Sequence, residues 1–255
     1  QWKNWKTAIQ SVLAATAASA LLTGTAACGL GGDTAGAASA QGDTVNIGVL
    51  YPKTGQYAEY GRLFKQGLDL AVEEVNESGG VGGKTLGLKY FDTQSDPKQD
   101  ASVAPKLASD PSVIAVVGDY ASPASAAASP TFQQAGLVHY GFNNSSPTFT
   151  QTGDHVWSPA IGTDSYERVY ADAAAKKAKK ISVVYIENDW GKQAFEYFKE
   201  QAARNGTQIV YESSYLPDST DLSPILITAR DADPDLIVNI GYGPDGALVI
   251  STLRD

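Results

Sequence analysis

The chain has 255 residues, too many for one small module and suited to one large or two modest domains. Apolar residues make up 43% and charged residues 18%, enough to bury a core, so wholesale disorder is excluded. The 28 acidic and 19 basic residues give a net charge of −9, which argues against a nucleic-acid binder, whose affinity rests on clustered Lys and Arg. The single cysteine excludes an internal disulfide framework and a cysteine-based zinc site. Two histidines, His139 and His155, leave little material for a His-rich metal site, and no cofactor or metal is expected. There is no methionine, even at position 1, so the chain is expected to be a fragment lacking its start.

At the amino end, Lys3 and Lys6 precede an uncharged, small-and-apolar run from Thr7 to Ala27. A basic start, an apolar stretch and small residues before a cleavage point describe a secretory signal peptide over residues 1–27. Cys28, after Leu21-Leu22-Thr23-Gly24-Thr25-Ala26-Ala27, falls where a bacterial lipoprotein signal places the residue that is lipidated. This resembles a lipobox, although Thr25 stands where a larger aliphatic residue is usual. An uncleaved membrane anchor of about 20 residues is the alternative, weakened by the Ala, Ser and Thr content. Residues 28–44, rich in Gly, Ala, Ser and Thr after the cysteine, cannot bury enough apolar area to fix their backbone and read as a flexible tether. Removing residues 1–27 takes two lysines and no acid, which moves the net charge from −9 to −11. The expectation is an acidic domain tethered outside the cell.

From residue 45 onward short strands alternate with helices. Val45–Leu50 is an apolar run bounded by turn residues, and Ala58–Ser78 places Phe64, Leu68, Ala71, Val72 and Val75 on one helical face. Gly79-Gly80 ends that helix. Strands are expected at Leu86–Asp92, Val113–Gly118 and Leu137–Phe142, with helices at Pro97–Ser109 and Ser122–Ala135, the last kinked or split by Pro130. After a polar break at Thr148–Asp154 come helix Asp164–Ala178, strand Ile181–Glu187, helix Gly191–Asn205 and strand Gln208–Ser213. Helix Leu222–Ala229, strand Leu236–Tyr242 and helix Pro244–Arg254 complete the series. Strands apolar throughout and separated by helices indicate an α/β fold with parallel sheets covered on both faces. The break predicts a first lobe over 45–160 and a partial second lobe over 161–255, with only three clear strands.

Several motifs carry no chemistry. GGVGGKT at 79–85 has Ser78 where a phosphate loop requires Gly, and it runs from helix into strand, the reverse of the required order. No GxGxxG follows the first strand, and no GxSxG elbow or nucleophile–histidine arrangement is present. His139, in an apolar strand, reads as structural, and His155, in a polar loop, as solvated. Asp218, Asp221, Asp231 and Asp233 are not at calcium-loop spacing.

In open parallel sheets, ligands bind beyond the carboxyl ends of the strands. Those ends carry Tyr57 and Tyr60, the stretch Asp119–Ser125, the run Asn143-Asn144-Ser145-Ser146, then Asn188-Asp189-Trp190 and Tyr242-Gly243-Pro244-Asp245. Ser122-Pro123 predicts a helix start, with Ser as cap and Pro at the first helical position. Exposed N–H groups there suit a carboxylate. Ser122 reads equally as a simple cap, Asn143 and Ser145 as turn formers before Pro147, and Trp190 as either lobe-packing or ligand-facing.

The ordered segments TGQYAEYG (54–61), NESGGVGGKTLGLKYFD (76–92), SDPKQDA (95–101) and IAVVGDYAS (114–122) resemble the extracytoplasmic substrate-binding proteins of ABC transporters for branched-chain amino acids, the leucine/isoleucine/valine-binding type. The resemblance runs from about residue 45 to 255. It implies the type I periplasmic-binding fold, with two Rossmann-like α/β lobes joined by three hinge strands and closing on ligand. It also implies that the second lobe is incomplete, a return crossing lying beyond Asp255. By the same resemblance Ser122 matches the position that binds the ligand α-carboxylate. The carbonyl of Asn143 and hydroxyl of Ser145 match positions that bind carboxylate or ammonium. Tyr60 matches a first-lobe aromatic beside the ligand, and Trp190 and Tyr242 match second-lobe closing residues. GFNNSSP at 141–147 and Trp190 depart from the family's usual residues, which leaves ligand identity open. The implied function is that of a monomeric, lipid-anchored solute-binding protein, not an enzyme. It would deliver an amino acid or small carboxylic acid to an ABC permease, with no nucleic acid involved. A ligand-sensing receptor domain is the alternative, and an enzyme on a similar scaffold a third.

Overall fold

The computed structural model describes residues 44–254. The expected signal peptide (1–27), Cys28 and the tether up to residue 43 lie outside the described residues. Two parallel sheets organise the rest. In the first, β1 (Thr44–Tyr51), β2 (Thr85–Asp92), β3 (Val113–Val117), β4 (Val138–Tyr140) and β5 (Val156–Trp157) stand in the order β2-β1-β3-β4-β5. In the second, β6 (Lys180–Ile186), β7 (Gln208–Tyr215) and β8 (Leu236–Ile240) stand in the order β7-β6-β8. Every neighbouring pair is parallel, which requires a crossover between successive strands.

Helices supply most of the crossovers. They are α1 (Ala58–Glu77), α2 (Pro97–Ala108), α3 (Ser122–Ala135) and the single turn α4 (Pro147–Thr150) beside the first sheet. With the second sheet go α5 (Thr163–Ala175), α6 (Asp189–Arg204), α7 (Ser223–Asp231) and α8 (Gly243–Arg254). The apolar stripes of α2 and α3 bury Val103, Ala104, Leu107, Ala128 and Phe132 against Leu50, Val113 and Val116. A second core gathers Ile181, Val183 and Val184 with Phe195, Phe198 and Leu226. Each buried Val, Leu, Ile or Phe among them contributes about 1.5–3 kcal/mol of transfer free energy.

The strands and long helices fall where the hydrophobic pattern predicts, with ends shifted by a few residues. β4 is shorter than expected, ending at Tyr140, and the chain bends at Phe142 and Asn143. The polar stretch read as a break holds most of α4 and is followed by the two-residue strand β5, both too short to show a period. Pro130 does not split α3, which runs unbroken from Ser122 to Ala135. The carbonyl of Ala126, which would have received the missing N–H, accepts the Ser129 hydroxyl at 3.2 Å. The Gly-rich stretch after α1 is a turn, in which Val81 and Lys84 exchange backbone hydrogen bonds at 2.9 and 3.1 Å. Gly79, Gly80, Gly82 and Gly83 all have positive φ there, at 101°, 73°, 60° and 78°, so these glycines serve backbone geometry.

Strand order fixes where a crevice forms. In the first sheet the connections out of β1 and β3 go to opposite sides of the strand order, β1 leading to β2 and β3 to β4. The loops that leave these two strands at their carboxyl ends therefore diverge and leave space between them.

Candidate functional site

The loop from β3 to α3 is braced by a buried carboxylate. Asp119 accepts the Ala121 N–H at 3.3 Å, and also the Tyr120 N–H and the Thr93 hydroxyl. Ser125, one turn into α3, accepts the Asp119 N–H at 2.7 Å. With the loop so held, α3 starts at Ser122 and its cap is Ala121. Ser122 is thus the first helical residue instead of the cap. Its hydroxyl makes no capping bond, and it accepts the Ser146 N–H at 3.5 Å from the next loop.

That next loop, from β4 to α4, carries Asn143 and Ser145. The Ser145 carbonyl accepts the Thr163 N–H at 2.8 Å, and the Asn144 carbonyl accepts the Ser158 hydroxyl at 2.6 Å. The Ser145 hydroxyl lies within 3.0 Å of Tyr166 Oη and receives the Thr163 hydroxyl at 2.9 Å. From the second sheet, Trp190 near the start of α6 donates its indole N–H to Ser145 Oγ at 3.0 Å. Asn188 caps α6, its side chain accepting the Gly191 N–H at 2.8 Å, which sets the direction in which Trp190 leaves the helix.

Behind Trp190 lies an aromatic wall. Tyr242 stacks on Trp190 with centroids 4.8 Å apart and planes at 21°, and Tyr57 meets Tyr242 edge-on at 4.8 Å. Tyr120 stacks on Tyr60 at 4.1 Å and 10°. Three bonds join groups far apart in sequence: Gln56 to Asp245 at 3.0 Å, the Gly243 N–H to Tyr60 Oη at 3.1 Å, and Ser146 to Gln193 at 2.9 Å.

Five of the six residues singled out from the sequence, Ser122, Asn143, Ser145, Trp190 and Tyr242, line one cavity of about 1000 Å³. Tyr60 does not line it and instead packs behind Tyr120, which does. The sequence reading also passed over Tyr166 and Glu167, both on the cavity wall. They sit in the first turns of α5, where only the helix period marks them. Burial pushes the Glu167 carboxyl up to about 7.

The histidines stand apart from this cavity. His139 is wholly buried, with Nε2 on the Gly118 carbonyl and its ring between Phe132 and Phe149, and burial lowers its pKa to about 4. His155 pairs with Asp154 at 2.8 Å and is half-buried, more tied down than a purely solvated side chain. Among the described residues, no group of three or more His, Cys, Asp or Glu is arranged to hold a metal ion. Among the same residues, no helix is long and apolar enough to cross a membrane.

A family described as periplasmic binding protein matches residues 44–255. A curated relative, a Leu/Ile/Val-binding protein homolog from Brucella melitensis, is 29% identical over 225 residues, covering 87% of this chain and 61% of its own. An amino acid binding protein from Pseudomonas aeruginosa is 26% identical, covering 83% of this chain and 57% of its own. The chain therefore spans about three fifths of the length of these relatives. Among solved structures, the branched-chain amino acid transporter substrate-binding protein LivJ from Streptococcus pneumoniae, in complex with isoleucine, superposes with a TM-score of 0.77 at 26% identity, covering 83% of this chain and 61% of that one. An ABC transporter solute-binding protein from R. palustris, in complex with 4-hydroxybenzoate, gives a TM-score of 0.76 at 25% identity, covering 84% and 58%.

Proposed function

This chain belongs to the periplasmic binding protein family, and from that premise we propose that it captures an amino acid or a related small carboxylic acid reversibly, without chemistry, for an ABC importer. The observation that carries the reading is the convergence of Ser122, Asn143 and Ser145 with Trp190 and Tyr242 on one cavity. The ligand carboxylate docks at the start of α3, where the helix dipole is positive and Ser122 supplies the first-turn N–H, Pro123 having none and Ala124 donating to the Ala121 carbonyl at 3.0 Å. The hydroxyls of Ser122 and Ser145 add donors. Trp190 and Tyr242 then cover the remainder and exclude water, and the branched-chain relatives support an amino acid as the ligand. The benzoate-bound neighbour supports keeping other carboxylic acids in the set.

Closure is a hinge motion that the ligand biases by making more contacts in the shut state. The bonds Gln56–Asp245, Tyr60–Gly243 and Ser146–Gln193 support a shut state of this kind. The shut form would be presented by a monomer to a membrane permease, with Cys28 as the lipid anchor that keeps the protein at the outer face of the cell membrane.

The test is a thermal-shift screen of the intact protein against the common amino acids and simple benzoates, followed by calorimetric titration of the hit. Ser122→Ala should weaken binding of a carboxylate ligand by about 1.5–3 kcal/mol, the range for a charge-assisted hydrogen bond, with an unchanged melting temperature. Unchanged affinity in that variant would overturn the assignment of Ser122.

A further inference from the structure

We infer that Glu167 makes this site selective for a ligand carrying an amine at the end remote from its carboxylate, an inference that rests on the binding reading above and adds the ligand's chemical class. Glu167 is only 4% exposed, yet it lines the same cavity as Ser122 and Ser145. Among the described residues it has no hydrogen-bond or ion-pair partner, and burial is the one influence on its ionisation. A carboxylate taken out of water without a counter-charge is costly to keep ionised, so a bare one in a cavity wall is accounted for by a cation arriving from the cavity.

The neighbouring cations do not fill that role. Arg168, next in sequence, turns away to Glu200 at 3.2 Å and to the Asp164 carbonyl at 3.0 Å. Lys177 also lines the cavity, but it is exposed, lies ten residues farther along and makes no ion pair with Glu167. The rings of Tyr166, Trp190 and Tyr242 face the same space, and aromatic faces attract cations independently of any carboxylate.

Position along α5 sets which amine is read. Thr163 bonds the Ser145 hydroxyl at 2.9 Å, so it marks the carboxylate end. Glu167 follows four residues later, one helical turn and about 6 Å farther along the axis. An α-amine sits beside its own carboxylate and stays near Ser145. A terminal amine on a straight side chain reaches one turn deeper, as in a basic amino acid.

Calorimetric titration of the intact protein tests this with matched pairs, L-lysine against L-norleucine and L-ornithine against L-norvaline, which share carbon skeletons and differ by the terminal amine. The wild-type protein should bind at least one diamino acid about tenfold or more tightly than its amine-free counterpart, as expected for a charge-assisted bond in a desolvated site. Glu167→Gln should remove most of that ratio and leave the affinity for norleucine or norvaline unchanged, while Glu167→Asp should keep part of it. A wild-type preference for the amine-free members, or a ratio that survives in E167Q, overturns the role of Glu167 and leaves the binding reading standing. Failure of every amino acid and carboxylic acid to bind overturns both.

Discussion

The indole N–H of Trp190 reaches the hydroxyl of Ser145 at 3.0 Å, joining the helix after β6 to the loop after β4. The same N–H also lies 3.2 Å from Thr163 Oγ1 and 3.1 Å from Tyr166 Oη. One donor therefore faces three hydroxyl groups, and a ligand that docks on Ser145 meets Trp190 at the same time. The two sheets are coupled through the group that the ligand would touch.

Trp190→Phe isolates this donor. The variant keeps an aromatic ring against Tyr242 and loses the N–H. A net hydrogen bond is worth about 1 kcal/mol, so affinity for the ligand found by screening should fall about fivefold, with little change in thermal stability. Titration calorimetry reads the first effect and a melting curve the second. Equal affinity in the two proteins would show that Trp190 contributes only its ring.

Two glycines of α1 should respond to alanine in opposite directions. A Cβ on Gly61 would lie 2.0 Å from the Pro52 carbonyl oxygen, a backbone atom of the loop that follows β1. A Cβ on Gly67 would meet nothing within 4 Å. Gly61→Ala should cost about 1–3 kcal/mol through overpacking, and Gly67→Ala should gain about 1 kcal/mol of helix propensity. Urea denaturation of both variants decides the matter, and a Gly61→Ala protein as stable as wild type would contradict the close approach of α1 to Pro52.

Asp100 predicts a pH effect of defined sign. It is wholly buried on α2, and neither carboxylate oxygen has a hydrogen-bond partner among the described residues. Burial, reinforced by the charge of Asp119, raises its pKa above the ordinary 3.8. The folded state then holds the proton more tightly than the unfolded chain, so this group's contribution to stability falls as pH rises above the ordinary value. His139, whose pKa is lowered by burial, acts in the opposite direction below neutrality but is present in both proteins compared. Asp100→Asn should therefore lose less stability than wild type between about pH 4.5 and pH 8 in urea titrations. Parallel pH profiles would sink this account.

The sequence by itself determined the succession of the longer strands and helices between β1 and α8, because apolar period and turn residues are local properties. It also marked Ser122, Ser145, Trp190 and Tyr242, since each sits at the carboxyl end of a strand or just after it. The two-residue β5 and the single turn α4 were invisible because neither is long enough to repeat. Pro130 leaves α3 unsplit, which depends on whether another donor reaches the Ala126 carbonyl, and Ser129 supplies one. Only the tertiary structure decided that Tyr120, not Tyr60, faces the cavity, and that Glu167 lies on its wall with no partner among the described residues. Those outcomes rest on contacts between residues far apart in the chain. Burial and ionisation are set by what surrounds a side chain in space, which a one-dimensional pattern does not contain.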